Sequence, residues 1–295
     1  MLRIFSSIKE SNEAILRELN SGDRPAEFQV DFVNEGFTLR RFCGFVDGEN
    51  VTFRYYSAKI GEMAFYEMAV GKLMERTEEV VSSFKKLREM VGPLEFRFAY
   101  PEIETSLRVK DIKKAELLKT LWAVIGTLDP TLTDVSFAKG LKDSPVIRRR
   151  GKEIIVQEGK LLNRELLSSG TAEGIDVAVF LASMVSTRNC FYYYDEHFSY
   201  IQSDIKKRIF GLMVERLGKN EQLVFPTHNT DMLDLNLHNH TFAFLRKEID
   251  EEKYNVSVTF ASKFLKCEKD SVKCAMENDV FGSLPDDSLL DELEV

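Results

Sequence analysis

The chain has 295 residues, and its 40 Lys and Arg against 48 Asp and Glu give a formal net charge of −8. Hydrophobic residues make up 44% and charged residues 30%, a balance that excludes a disordered or collagen-like chain. The acidic balance also argues against a dedicated nucleic-acid module, which needs a basic surplus to neutralise phosphates, although it leaves room for a local basic groove.

The sequence predicts a cytoplasmic protein without a membrane partner. The four cysteines show no C-x-x-C spacing, so reduced thiols are expected instead of a disulfide framework. Residues 1–10 lack the apolar core of a signal peptide. The longest apolar stretch, at 177–185, is far shorter than the roughly 20 residues that a membrane-spanning helix needs.

Hydrophobic periodicity predicts a β meander near the start of the chain. Residues 5–19 have apolar residues at near-helical spacing, which predicts a first helix. Three alternating segments, separated by turns rich in Gly, Asn and Asp, then predict antiparallel strands. These segments are 27–32, 37–42 and 51–56.

The middle of the chain is predicted to be more helical. Residues 63–90 are charged and poor in glycine, and Gly92-Pro93 follows them, so we expect a long helix there. A strand at 94–100 and a helix at 110–125 come next. Short strands at 135–156 surround the basic run Arg148-Arg149-Arg150, which we interpret as a solvated hairpin in preference to a phosphate-binding patch.

After residue 160, helices and strands alternate. Cys190 to Tyr194 form a nearly continuous apolar run, which is typical of a strand buried on both faces of a parallel sheet. The predicted fold class is therefore mixed α/β, an antiparallel meander with helical insertions followed by a largely parallel core sheet, with domains at 1–160 and 161–295 and no clear linker. The predicted elements are helices at 172–186 and 203–217, strands at 189–194, 222–225 and 241–245, and a weak helix with an acidic tail within 269–295.

A cluster of hydroxyl residues and glycine precedes the helix predicted at 172–186. It consists of Ser168, Ser169, Gly170 and Thr171. A helix N-terminus has free N–H groups and a partial positive charge, which suit a phosphate. An ordinary N-cap, which Ser, Thr and Gly often provide, is the simpler interpretation.

Two carboxylates, Asp195 and Glu196, follow the apolar run directly. At the carboxyl end of a parallel strand they would lie in the ligand crevice. One carboxylate could hold Mg²⁺ and the other could polarise an attacking water. The alternative is that both begin a surface loop.

A third polar cluster, around His228, follows the strand predicted at 222–225. His228 could contact a γ-phosphate, or it could be structural. A metal site of a nuclease or phosphoesterase is a weaker alternative, because the sequence nearby lacks the pattern of a ββα-metal nuclease. Its ligands would come from His228, Asp231, Asp234, His238 and His240.

The order of these clusters resembles the C-terminal lobe of ATP-binding-cassette ATPases, and most closely RecF-like and OLD-like bacterial ATPases, including abortive-infection and other phage-defence proteins. The resemblance implies a P-loop-NTPase-like fold, ATP and Mg²⁺ as ligands, and a dimer in which ATP is sandwiched. On this resemblance Ser168 to Thr171 lie in the signature motif and bind nucleotide. Asp195 supports Mg²⁺, and Glu196 and His228 are catalytic. Residues 198–203 fall where the D-loop lies.

The sequence departs from this family in one respect. None of its Gly-Lys pairs stands in the pattern Gly-x-x-x-x-Gly-Lys-[Ser/Thr], whose amides and lysine hold the phosphates. We expect ATPase activity only when a missing segment or a partner chain supplies that P-loop. The alternative is a nucleotide-independent protein that uses a degenerate ATPase fold to dimerise or to bind an effector protein.

Overall fold

The computed structural model describes 26–33, 39–47, 50–59, 62–72, 95–99, 109–141, 143–157, 160–162, 164–186, 190–195, 198–219, 221–250, 253–267 and 270–285. The helix predicted at 5–19 lies outside these residues. Within them the chain is a mixed α/β protein with several sheets. The strands are β1 (Ala26–Val33), β2 (Leu39–Asp47), β3 (Asn50–Lys59), β4 (Glu62–Lys72), β5 (Glu95–Ala99), β6 (Leu132–Phe137), β7 (Pro145–Arg149), β8 (Lys152–Gln157), β9 (Lys160–Leu162), β10 (Cys190–Tyr194), β11 (Gln222–Val224), β12 (Ala243–Asp250) and β13 (Lys253–Phe260). The α-helices are α1 (Lys114–Leu128), α2 (Ser169–Ser186), α3 (Ser203–Arg216) and α4 (Val272–Glu277).

The described residues divide into two compact units. The first unit contains the described residues up to Ile201 together with Phe210–Pro226, and the second contains Gln202–Ile209 and the described residues from Thr227 onward. The division predicted at residue 160 stays a prediction. No helix in the described part of the chain is long and apolar enough to cross a bilayer.

The meander predicted from the sequence is present and has one strand more than expected. Strands β1 to β4 form an antiparallel sheet in chain order. The helix predicted at 63–90 is wrong at 63–72, which lie in β4 and pair with β3. Local helix propensity in this segment is outweighed by antiparallel backbone pairing with β3. The remainder of the predicted helix lies outside the described residues.

The parallel core predicted for the second half is a three-stranded sheet in the first unit. Strand β10 lies between β5 and β11 and is parallel to both. Its residues Tyr192 and Tyr194 are fully buried, and both pack against Phe180 of α2. Helix α2 packs along α1. The apolar pattern of β10 therefore correctly indicated a buried central strand.

The basic run lies on a β-hairpin of a second antiparallel sheet, which has the order β6-β7-β8-β9. Arg150 and Gly151 form its turn with positive φ of 35° and 77°. Arg148 contacts Asp134 at 2.5 Å and Glu153 at 2.7 Å. The guanidinium of Arg148 is therefore paired with two carboxylates. This pairing agrees with the interpretation of the basic run as a solvated hairpin.

The second unit is built around a small apolar core. Strands β12 and β13 form an antiparallel hairpin, so the strand predicted at 241–245 belongs to a separate sheet and not to the parallel core. Phe244 of β12 stacks on Phe281 with ring centroids 4.1 Å apart. Helix α4 occupies part of the segment in which a weak helix was predicted, and Val272 and Ala275 complete the core.

Candidate functional site

The hydroxyl cluster lies at the start of α2, as predicted. The Ser168 hydroxyl oxygen accepts a hydrogen bond from the Thr171 backbone N–H at 3.3 Å and lies 2.8 Å from the Thr171 hydroxyl oxygen. This is the arrangement of a helix N-cap, in which a serine oxygen satisfies an otherwise unpaired amide. Ser168 and Ser169 are exposed, whereas Thr171 is buried. The nucleotide-binding role of these residues stays a prediction.

Gly170 lies against the segment that follows β10. A Cβ added at Gly170 would lie 2.8 Å from the backbone oxygen of Tyr200, which is closer than such atoms approach in proteins. Glycine at this position therefore allows the start of α2 and the turn containing Tyr200 to come together.

Glu173 ties the same two segments together. Its Oε1 accepts hydrogen bonds from the backbone N–H groups of Phe198 at 2.5 Å and Ser199 at 2.9 Å, and its Oε2 accepts one from Tyr200 at 2.9 Å. Hydrogen bonds to an ionised acceptor are about twice as strong as neutral ones. One carboxylate thus holds three consecutive amides of the turn.

Asp195 lies immediately after β10, where the sequence places it. Its backbone N–H donates to the Ala99 carbonyl at 2.9 Å, so the pairing with β5 continues to this residue. Its side chain is half-buried. Glu196, the predicted catalytic base, lies outside the described residues.

A second acidic residue of α2, Asp176, is electrostatically unusual. Burial raises its pKa from 3.8 to about 6, with a further increase from Glu173 and an opposing effect of Arg164. Burial also raises the pKa of Tyr194 well above its ordinary value, and the charges of Asp176 and Glu173 add to this. Two carboxylates one helical turn apart on α2, Glu173 and Asp176, therefore influence the electrostatic environment of Tyr194 at the end of β10.

His228 is exposed and lies in the second unit. The residues that follow it are held to the first turn of α3. The Ser203 hydroxyl donates to Asp231 Oδ2 at 2.5 Å, and the Asp231 backbone N–H donates to Asn229 Oδ1 at 2.9 Å. These bonds fix the short 3₁₀ helix Thr230–Asp234, which begins two residues after His228.

The acidic residues near His228 are engaged within the protein. Asp234 contacts Lys207 at 3.2 Å and Lys273 at 3.1 Å, and hydrogen bonds from Lys273 and then Lys207 lower its pKa. The rings of His238 and His240 stack with centroids 5.5 Å apart. In the described part of the chain, His, Cys, Asp and Glu form no group of three or more that could hold a metal ion.

The structure thus brings together two of the predicted segments, the helix start at Ser168 to Thr171 and the turn at 198–200, within the first unit. Sequence reasoning missed Glu173, Asp176 and the Ser203–Asp231 pair. Glu173 stands 25 residues from its first partner, and an acid near a helix start is too common to indicate such a contact. The sequence indicates Asp231 only as a potential metal ligand.

No protein-family model matches the chain, and no curated protein matches it significantly. Among solved structures, it is similar to an Smc head bound to the C-winged helix domain of ScpA, at 12% identity and a TM-score of 0.43, over 77% of this chain and 76% of that one. It is also similar to the SMC head domain from Thermotoga maritima, at 16% identity and a TM-score of 0.30, over 67% of this chain and 66% of that one.

Proposed function

We propose that this chain provides the signature and Walker B part of an ATP-binding-cassette-class ATPase of the RecF-like or OLD-like type, in phage defence or a DNA-related process. A P-loop from another segment or chain completes the site. The observation that carries the proposal is the close association of the Ser168–Gly170 helix start with the turn that follows the Asp195 strand. Gly170 permits this approach and Glu173 maintains it.

Each predicted residue has a distinct role in this proposal. The helix start at Ser168 to Thr171 binds a γ-phosphate held by the P-loop of a partner, because the positive end of α2 favours negative charge. Glu196 orients the attacking water and His228 contacts the γ-phosphate. The site is then completed by a dimer or by a P-loop-bearing partner.

Asp195 is the residue that would hold Mg²⁺. It presents a half-buried carboxylate at the carboxyl end of a parallel strand. One carboxylate suffices for Mg²⁺, which proteins bind through one or two carboxylates together with waters and phosphate oxygens. When bound, Mg²⁺ neutralises charge on the phosphate oxygens.

ATP hydrolysis measured with and without an added P-loop tests the proposal. We expect the pure chain to show no appreciable turnover, and the chain complemented with a P-loop-bearing segment to hydrolyse Mg·ATP. Glu196→Gln and Asp195→Ala should abolish this activity, while Glu165→Gln, at an exposed site before α2, should retain it. Turnover by the pure chain that Glu196→Gln abolishes would contradict the need for an added P-loop. Failure of every complemented form would contradict the proposed ATPase.

A nucleotide-independent role in dimerisation or effector binding is the second candidate. The contacts of Ser168 with Thr171 and of Gly170 with Tyr200 favour it, because they give the motif residues a structural purpose that needs no nucleotide. This candidate predicts that Asp195→Ala and Ser168→Arg leave activity in cells intact. The ATPase proposal predicts that both variants lose it.

A further inference from the structure

We propose that Glu173 is a positioning residue for the candidate site, an inference that rests on the proposed ATPase function. Its carboxylate holds the turn Phe198, Ser199 and Tyr200 at a fixed place relative to the start of α2. These bonds fix the orientation of α2, which carries the hydroxyl cluster, relative to the turn that follows β10.

The hydrogen bonds of Glu173 constrain both the position and the orientation of the turn. Three consecutive backbone N–H groups converge on one carboxylate, two on Oε1 at 2.5 and 2.9 Å and one on Oε2 at 2.9 Å. Since both oxygens are engaged, rotating the turn or moving it away from α2 breaks at least one bond. The carbonyl of Tyr200 already lies close to α2 at Gly170, so the turn cannot move closer to the helix. The bonds to Glu173 prevent it from moving away.

Phe198 fixes the turn from the side of the parallel sheet. Its ring is fully buried and lies 5.6 Å from Tyr194 and 5.5 Å from Phe225, measured between centroids. Its backbone has φ of 79°, an unusual conformation for a bulky side chain that persists only when its surroundings hold it. The three bonds to Glu173 supply that constraint on the backbone, and the aromatic contacts supply it on the side chain.

This geometry bears on the proposed catalysis through the relative placement of the hydroxyl cluster and the strand that ends at Asp195. The chain is held at Asp195 by the hydrogen bond to Ala99 and at Phe198 to Tyr200 by Glu173. Without Glu173, the turn at 198–200 and the start of α2 lose the bonds that fix their relative position. A site whose binding groups shift relative to one another loses rate, even if substrate binding is retained.

The first experiment measures amide hydrogen exchange on the full chain without nucleotide. In Glu173→Gln one acceptor oxygen is replaced by an NH₂ group, which cannot accept a hydrogen bond from a backbone N–H. We therefore expect the amides of 198–200 to exchange about tenfold faster or more. In Glu173→Asp, which keeps the charge, we expect intermediate protection. The matched control Glu165→Gln should exchange like the wild type. Equal protection of 198–200 in Glu173→Gln and the wild type would overturn the anchoring role.

The second experiment measures ATP hydrolysis by the same variants complemented with a P-loop-bearing segment. We expect Glu173→Gln to lower kcat about tenfold while KM for ATP stays within about twofold, and Glu173→Asp to restore part of kcat. A merely structural residue would instead lower the folded fraction, which thermal melting detects. Unchanged kcat in Glu173→Gln would overturn the positioning role in catalysis. If the complemented wild type has no turnover, the ATPase proposal fails and the positioning role in catalysis fails with it. The exchange result still decides whether Glu173 anchors the turn.

Discussion

The backbone carbonyl of Tyr200 lies so close to Gly170 that a Cβ at Gly170 would be only 2.8 Å from its oxygen. The neighbouring atom belongs to the backbone, so it cannot rotate aside as the end of a flexible side chain could. Any residue larger than glycine must therefore move the turn away from α2 or shift the first turn of the helix.

Gly170→Ala should destabilise the first unit by about 1–3 kcal/mol, because overpacking displaces backbone. Gly211→Ala is the matched control, since Gly211 lies inside α3 and a Cβ added there would have nothing within 4 Å. That control should be stabilised by about 0.5–1 kcal/mol through the higher helix propensity of alanine. Urea unfolding monitored by the fluorescence of Trp122 on α1, the single tryptophan, would measure both. Equal stability changes in the two variants would contradict the close approach of Tyr200.

Asp176→Asn should stabilise the protein above about pH 6. Burial, opposed by Arg164 and assisted by Glu173, raises the pKa of Asp176 from 3.8 to about 6 in the folded state. Between these two values the folded state binds more protons than the unfolded state, so the wild type loses stability as the pH rises through this window. The full loss, on the order of 2–3 kcal/mol, is reached above the folded pKa, and asparagine avoids it.

The difference in unfolding free energy between Asp176→Asn and the wild type, measured from about pH 4 to pH 8, would check this expectation. It should be small at the acidic end and should grow through the window to a plateau. Glu165→Gln, which changes an exposed carboxylate, is the matched control. A difference that does not vary with pH would mean that Asp176 titrates normally.

The sequence predicts most of the elements that position the candidate site. The run Cys190 to Tyr194 indicated a buried parallel strand because its residues are apolar without alternation, and β10 lies between two parallel neighbours. The hydroxyl cluster indicated a helix start, and α2 begins at Ser169. In these cases the residues of a short segment are enough to determine its secondary structure.

Elements that depend on contacts with residues distant in the sequence could not be predicted in this way. The segment of β4 contains Met63, Ala64 and Glu67, good helix formers, and becomes a strand because β3 offers it a backbone ladder. The sequence pattern does not indicate β13 and places the segment of β12 in the parallel core, because the pairing of Ala243 with Phe260 depends on a separate stretch of chain and not on local composition. The role of Glu173 was likewise hidden, since its three partners lie at least 25 residues away.

Ser203→Ala should loosen the short helix that follows His228. The Ser203 hydroxyl donates to Asp231 Oδ2 at 2.5 Å, and loss of a hydrogen bond to a charged group costs about 1.5–3 kcal/mol. Hydrogen exchange at the amides of residues 231–234 should accelerate by about tenfold or more. Ser257→Ala on β13, where the side chain is exposed, is the control and should leave these amides unchanged. Unaltered exchange in Ser203→Ala would show that other contacts suffice to hold this segment.

Gly174→Ala should be destabilising in a way that Leu128→Ala relieves. A Cβ at Gly174 of α2 would overlap Cδ1 of Leu128 and lie 3.4 Å from Cδ1 of Ile125, both on α1, so the glycine lets the two helices pack closely. Because the overlapping atom ends a half-buried, flexible side chain, we expect Gly174→Ala alone to cost about 1 kcal/mol, less than Gly170→Ala. The double variant should cost less than the sum of the single changes by about 0.5–1 kcal/mol, since shortening Leu128 removes the overlap. Urea unfolding of the four proteins in this cycle, monitored at Trp122 on α1, measures the coupling. Strictly additive changes in the free energy of unfolding would contradict this prediction. They would mean that Leu128 adopts another rotamer at no cost and that α1 packs on α2 without a requirement for glycine at position 174.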